Sequence, residues 1–347
     1  MKILKIFFLN IFVFLSIQVT SQKKQHSKEW KSNRPDGHAP ISIMGDHYHH
    51  KGEFMFSYRF MYMNMEGLQK GTSPISNMEA HKSGYMTTPL SMPMKMHMLG
   101  GMYAPTDKVT LIAMLNYTQN NMDLQMRNMM SGKIIPFSTS SSGFGDLKVG
   151  MLYKFINRNQ QSFHAILNLS IPTGSLNSKD FTPMSKENKI QLPYPMQIGS
   201  GTYDADLGLN YLGQRDIISW GSQVKATYRF GKNKYNYSLG NHYSLNSWVA
   251  VKTHKWLSFS ARVQGLIIGS INGKNGNLVP IMVTTADTVN SGGKFINLGL
   301  GFNLYAFKGT LKNIRLGAEF STPLYQKLNG IQLKKREAIA IGLQYSL

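Results

Sequence analysis

The stretch Tyr203-Asp204-Ala205-Asp206-Leu207-Gly208-Leu209-Asn210-Tyr211 changes character at every step. On an extended chain, successive side chains point to opposite faces. Tyr203, Ala205, Leu207, Leu209 and Tyr211 therefore share one face, and Asp204, Asp206 and Asn210 share the other. The next run repeats the pattern: Ile218, Trp220, Val224, Ala226, Tyr228 and Phe230 oppose Gln223, Lys225, Thr227 and Arg229. Such runs, separated by turn residues, are the mark of a transmembrane β-barrel, apolar toward lipid and polar toward the lumen.

From Gly52 to Leu347 the chain divides into twelve runs of this kind, an even number as a closed antiparallel barrel requires. Their connections alternate short and long. Short ones lie at 105–108, 157–161, 213–216, 253–255 and 307–312, and long ones at 64–91, 120–142, 172–201, 231–238, 269–292 and 322–336. Outer-membrane barrels have short periplasmic turns and long outer loops. The expected fold is all-β, an antiparallel transmembrane barrel of about 12 strands. A soluble β-sandwich would need a more polar second face than one carrying this much Gly, Ala and Asn. Trp220, Tyr228, Trp256 and Tyr305 near run ends suggest interfacial aromatic girdles.

Composition agrees. The chain has 347 residues, 42% hydrophobic and only 16% charged, with 32 Gly and no cysteine. That excludes a disulfide scaffold, a Cys-ligated zinc site and a thiol nucleophile. Lys2 and Lys5 precede an apolar stretch from Ile6 to Ile17, and Val19-Thr20-Ser21 supplies a cleavage site. Residues 1–21 therefore read as a secretory signal peptide. Residues 22–51 read as a His-containing N-terminal segment, periplasmic or folded into the lumen as a plug, and residues 52–347 as the barrel. The expected location is the outer membrane of a Gram-negative bacterium.

The formal charge is +21, from 38 Lys and Arg against 17 Asp and Glu. After export, nucleic acid is not the expected partner. Outer-membrane lipid, lipopolysaccharide and a small solute or metal ion are. The alternation places Arg59, Lys95, Lys148, Lys154, Lys225, Arg229, Lys252, Arg262 and Arg315 in the lumen with Asp146, Asp204, Asp206 and Glu319. This basic excess favours anionic or neutral polar solutes over free cations. Cross-barrel ion pairs filling the interior are the competing reading.

Methionine is unevenly spread: 18 of the 22 fall between Met44 and Met151. Asp46, His47, His49 and His50 precede the first run. Met55, Met61 and Met63 lie on it, and Met94, Met96, His97, Met98 and Met102 lie on the second. Thioethers select Cu(I) and imidazoles suit Cu, Zn and Ni, so these residues form a candidate metal set. No cofactor is required, and copper is the one the composition suggests. Met as adaptable apolar filling is the alternative. His164, His242 and His254 are isolated, and no G-x-S-x-G elbow occurs, so no enzyme is expected.

Several segments carry a likeness: Arg34-Pro35-Asp36-Gly37-His38-Ala39-Pro40, Met44-Gly45-Asp46-His47, Gly52-Glu53 with Ser57-Tyr58-Arg59, and Leu99 to Pro105. Ser142 to Asp146, Pro172 to Ser175 and Leu192 to Thr202 continue it. Together they resemble bacterial outer-membrane transporter barrels grouped with the MetA-type proteins of phenol-degradation pathways. That resemblance implies an outer-membrane barrel and assigns no residue a role. The expected function is a pore or passive transporter for small solutes. Copper handling through the Met- and His-rich segments and a structural barrel with a filled lumen are the alternatives.

Overall fold

The computed structural model describes residues 29–128, 130–185 and 187–347. The signal-peptide reading of residues 1–21 lies outside them, as do residues 22–28. Strands β1 (Phe54–Gly71), β2 (Met94–Thr106), β3 (Val109–Arg127), β4 (Leu147–Arg158), β5 (Gln161–Ile171) and β6 (Tyr203–Arg215) make the first half of a ring. They are followed by β7 (Ile218–Phe230), β8 (His242–Lys252), β9 (Leu257–Ile268) and β10 (Gly293–Tyr305). A 33-residue extended segment, Ile314–Ser346, supplies the last two. Its first part, β11 (314–328), pairs with β10. Its second part, β12 (330–346), pairs with β1, from Met55 opposite Ser346 to Gln69 opposite Gln332. That pairing closes a ring of twelve antiparallel strands.

The burial pattern inverts that of a soluble protein. Phe56, Leu99, Val224, Phe230, Leu300 and Phe320 are exposed, whereas Arg59, Asp204, Asp206, Arg262, Arg315 and Glu319 are buried. Large apolar side chains belong inside a soluble domain and charges outside. A polar interior within an apolar belt is the arrangement of a barrel in lipid. No described helix is long and apolar enough to cross a membrane.

Two details correct the expectations. Lys95 does not line the lumen. It is opposite Tyr62 in register and shares its face with His97 and Leu99, which look outward. The basic residue misled because the inward positions of β2 are Met94, Met96 and Met98, all apolar. Tyr305 is buried, with the Arg315 guanidinium 5.1 Å from its ring centre, so it belongs to the interior and not to a girdle.

The long connections are also more ordered than expected. β1 runs on to Gly71 and β3 to Arg127. Residues 322–336 are strand and not loop, with Pro323 accommodated at a register shift against Asn297. A short helix, Asn77–Lys82, starts at a capping box in which Ser76 and Glu79 satisfy each other's backbone N–H groups. Together with Ile134–Phe144 and Thr87–Ser91, these segments raise the wall at the long-loop end. Leu68, Met92, Met122, Leu124, Leu192 and Met196 form an apolar core there. Met92 and Met122 thus fill space in a packed cap, the use for which flexible thioethers are suited.

Candidate functional site

Residues 29–50 form an arm folded inside the ring. Its first residues are fixed at the short-turn mouth: the Trp30 N–H donates to Asn157 Oδ1 at 2.9 Å, and Lys31 exchanges two hydrogen bonds with the Gln214 side chain. Further in, Ser258 and Arg315 donate to the Pro35 carbonyl at 2.8 and 2.9 Å. At the deepest turn Ser42 Oγ donates to Glu319 Oε2 at 2.7 Å, and the Met44 carbonyl accepts from Gln223. The chain then returns to the mouth, where His50 Nδ1 lies 3.7 Å from Asp107 Oδ1.

Strand glycines make the seat. A Cβ on Gly342 would lie 2.6 Å from Ile41 Cγ1, and one on Gly317 would lie 3.1 Å from Ile41 Cβ. Both close approaches depend on the missing side chain. Trp30, Ala39 and Ile43 pack with Leu212 and Trp248 in one apolar cluster, and Tyr48 packs with Met55, Met102, Ile112, Leu152 and Ile166 in another. Met55 and Met102 are therefore packing residues around the arm.

The arm folds back on itself by two local devices. The Ile43 N–H donates to the Pro40 carbonyl, and Gly45 takes a left-handed φ of +69° that a β-carbon would resist. Its carbonyl lies 2.8 Å from His164 Nε2. The result brings together His38, Asp46 and His47, all buried, with candidate donor atoms within 4.8 Å of one another. The His38 and His47 ring centres are 3.8 Å apart, and those of His47 and His49 are 5.0 Å apart. His47 Nδ1 is 2.9 Å from Asp46 Oδ1, and the Ala39 N–H donates to Asp46 Oδ2.

Burial lifts the Asp46 carboxyl, but the neighbouring His47 ring, the Ala39 N–H and Arg59 outweigh it and hold it at about 2. Burial, reinforced by Arg315, keeps His38 well below the ordinary histidine range. Burial also lowers His49, against the opposing pull of its Glu53 partner.

The sequence-derived metal set is thus divided. Asp46 and His47 stay together and gain His38. His49 sits beside them with Nδ1 turned to Glu53, 3.2 Å away, and His50 is exposed at the mouth. Met61, Met63, Met94, Met96 and Met98 share the inward face of the β1–β2 pair, with Met61 opposite Met96 and Met63 opposite Met94. His97 leaves them: its Nδ1 is 2.8 Å from Tyr58 Oη on the outward face. His38 does not stand out in the sequence because it lies eight positions before Asp46. The signal for it was Pro40 and Gly45, two turn residues between polar donors.

Above the arm the lumen opens into a cavity of about 260 Å³ lined by Asp146, Lys148, Asp204, Asp206, Lys225 and Arg229, among others. Lys148 and Lys225 both pair with Asp206, and Arg229 pairs with Asp204. Three basic groups here face three acids, so the basic excess read from the alternation is balanced at this level. Lower down, Arg262 binds Glu319 through Nε at 2.9 Å and Asn246 through a terminal nitrogen at 2.9 Å. Lys154 turns to the arm, with its ammonium 4.7 Å from the centre of the Tyr48 ring. Lys252 shares the inward face of β8 near the short-turn end. A second cavity of about 330 Å³ lies among the outer loops, walled by Leu124, Phe137, Met184, Leu192, Leu278 and Met282.

No family model and no curated sequence matches the chain. Solved structures do. An outer-membrane channel from Pseudomonas putida F1 aligns over 88% of this chain and 99% of its own, with a TM-score of 0.61 at 14% identity. A Pseudomonas aeruginosa FadL homologue covers 90% and 92% at 10% identity with a TM-score of 0.42. The P. putida toluene transporter TodX covers 85% and 88% at 9% identity, also with a TM-score of 0.42. The first of these likenesses shows the fold, that of an outer-membrane β-barrel.

Proposed function

We propose that this barrel is a passive outer-membrane channel for small solutes, restricted by its own N-terminal arm. The observation that carries this reading is the division of the lumen. Its long-loop half holds a polar cavity of about 260 Å³, while its short-turn half is occupied by a segment held through side-chain hydrogen bonds and contacts on glycine. The apolar outer face supports a setting against lipid and lipopolysaccharide. The likeness of the segments between Arg34 and Arg59 to MetA-type barrels supports the same reading.

The walls narrow the choice of solute. An apolar cleft among the outer loops and a separate lumen cavity of paired charges suit neutral molecules with an apolar part better than free ions. Planar-bilayer recording on the full-length protein tests the proposal. Discrete conductance steps are expected from the native chain, with larger ones from Gly342→Leu, whose added side chain collides with Ile41. Silence from both would leave a filled structural barrel as the better account.

A further inference from the structure

We propose that His38, Asp46 and His47 bind one divalent transition-metal ion, Cu2+ most tightly, and so close the lumen arm upon itself. The inference stands on the arm's own geometry and does not depend on whether the barrel conducts.

Three donor groups converge: two imidazoles and one carboxylate, all buried, with candidate ligand atoms within 4.8 Å of one another. Two of the nitrogens lack any partner among the described residues. His38 Nδ1 and His47 Nε2 are both shielded from solvent without a hydrogen bond. A buried polar atom left this way is costly, and the one on His38, 4.0 Å from the Asp46 carboxylate, calls for a partner. A shared ion supplies one. Metal bonds of about 2.0–2.2 Å require only that the side chains draw in from the present 4.0 Å between His38 Nδ1 and Asp46 Oδ2.

The surroundings resemble those of a prepared metal site. His47 Nδ1 already meets Asp46 Oδ1 at 2.9 Å, the contact that an ion held by both would replace. The Ala39 N–H holds the other carboxylate oxygen in place.

The donor set also selects the ion. Nitrogen and oxygen ligands without a thioether favour divalent ions over Cu(I). Arg59 and Arg315 lie close enough to act on His38 electrostatically, which disfavours an ion held by charge alone. Strong bonding to imidazole then decides, and Cu2+ exceeds Zn2+ in the Irving–Williams order.

All three ligands belong to the arm, and none to the ring. The ion would staple residues 38–47 into a closed loop whose tip carries Ser42, the residue bound to Glu319. The methionines of β1 and β2 are not part of this site.

The test is titration of Cu2+, and separately Zn2+, into the tag-free full-length protein folded in detergent, against a competing chelator. Heat-dependent gel mobility reports which preparations are folded barrels. One Cu2+ per chain is expected, bound more tightly than Zn2+. His38→Ala and His47→Ala should each weaken binding by at least ~10–100-fold, the effect of losing even an outer partner of a ligand. His50→Ala should leave it unchanged. The paramagnetic resonance spectrum of the Cu2+ form should show coupling to two nitrogens, a signature that a merely structural role would not produce. It can be read on the native chain even if a variant fails to fold. A folded native protein that binds no stoichiometric Cu2+, or binding that survives both His38→Ala and His47→Ala, overturns the proposal. So does binding lost with His50→Ala, which would put the ion at the mouth.

Discussion

The two halves of the lumen solve the same problem in different ways. Both must satisfy polar groups projecting from twelve strands into a narrow interior. The long-loop half pairs its charges with one another across the wall: Lys148 and Lys225 with Asp206, Arg229 with Asp204. This leaves open space between them. The short-turn half satisfies its polar side chains on the backbone of an inserted segment. Ser258 and Arg315 bind the Pro35 carbonyl, Gln223 that of Met44, Asn210 that of Asp46. A wall that pairs with itself can remain hollow. A wall built to bind a guest chain must exchange those bonds for water when the guest leaves.

Removing the guest is the most severe way to break that contrast. Deleting residues 29–50 should raise single-channel conductance several-fold, read in planar bilayers. It should also lower resistance to guanidinium, because the side chains that bind arm carbonyls lose their partners. An unchanged conductance would place the constriction in the outer loops instead.

The next largest effect concerns the pair beneath the arm tip. Glu319 accepts from Arg262 and from Ser42, and Arg262 also binds Asn246. Arg262→Ala leaves a buried carboxylate without its counter-charge, a change that costs about 3–5 kcal/mol. The loss should appear as a lower denaturant midpoint for the whole barrel. Arg262→Met together with Glu319→Gln should recover much of it, since removing both charges is far less costly than removing one.

Asp206→Asn sharpens the comparison from the other half. Two ammonium groups then lose the carboxylate between them. Reversal potentials in a salt gradient should move toward anion selectivity, while stability changes less than in the Arg262 variant. The smallest effect is expected from Ser42→Ala, which removes one hydrogen bond to a charged acceptor, worth about 1.5–3 kcal/mol. Amide exchange along residues 40–46 should quicken, with the strands unaffected.

Much of this architecture was legible because a strand's period of two survives whatever lies on either side of it. Leu207 and Asp206 announce opposite faces without reference to any neighbour. The errors arose where the alternation carried no contrast. In β2 the inward residues are Met94, Met96 and Met98, so the polar marks there, Lys95 and His97, lie on the outward face. Residues 322–336 looked like a loop because Pro323 and Asn329-Gly330 are turn residues, yet one marks a register shift and the other the bend of a hairpin. The candidate site was half visible. Asp46 and His47 are adjacent in sequence, whereas His38 reaches them only through a bend that tertiary packing selects. Ring pairing between the first and last strands, and the docking of Ile41 on Gly317 and Gly342, are contacts across nearly the whole chain. No local pattern encodes them.

The arm enters and leaves by the same mouth: Trp30 is fixed beside Asn157, and His50 beside Asp107. It is a tethered hairpin and not a thread drawn through the ring. Withdrawal therefore requires no strand to separate and no peptide to pass a closed circle, and the segment cannot drift away once out. The topology therefore sets no barrier to repeated withdrawal and reseating, as it would for a threaded chain.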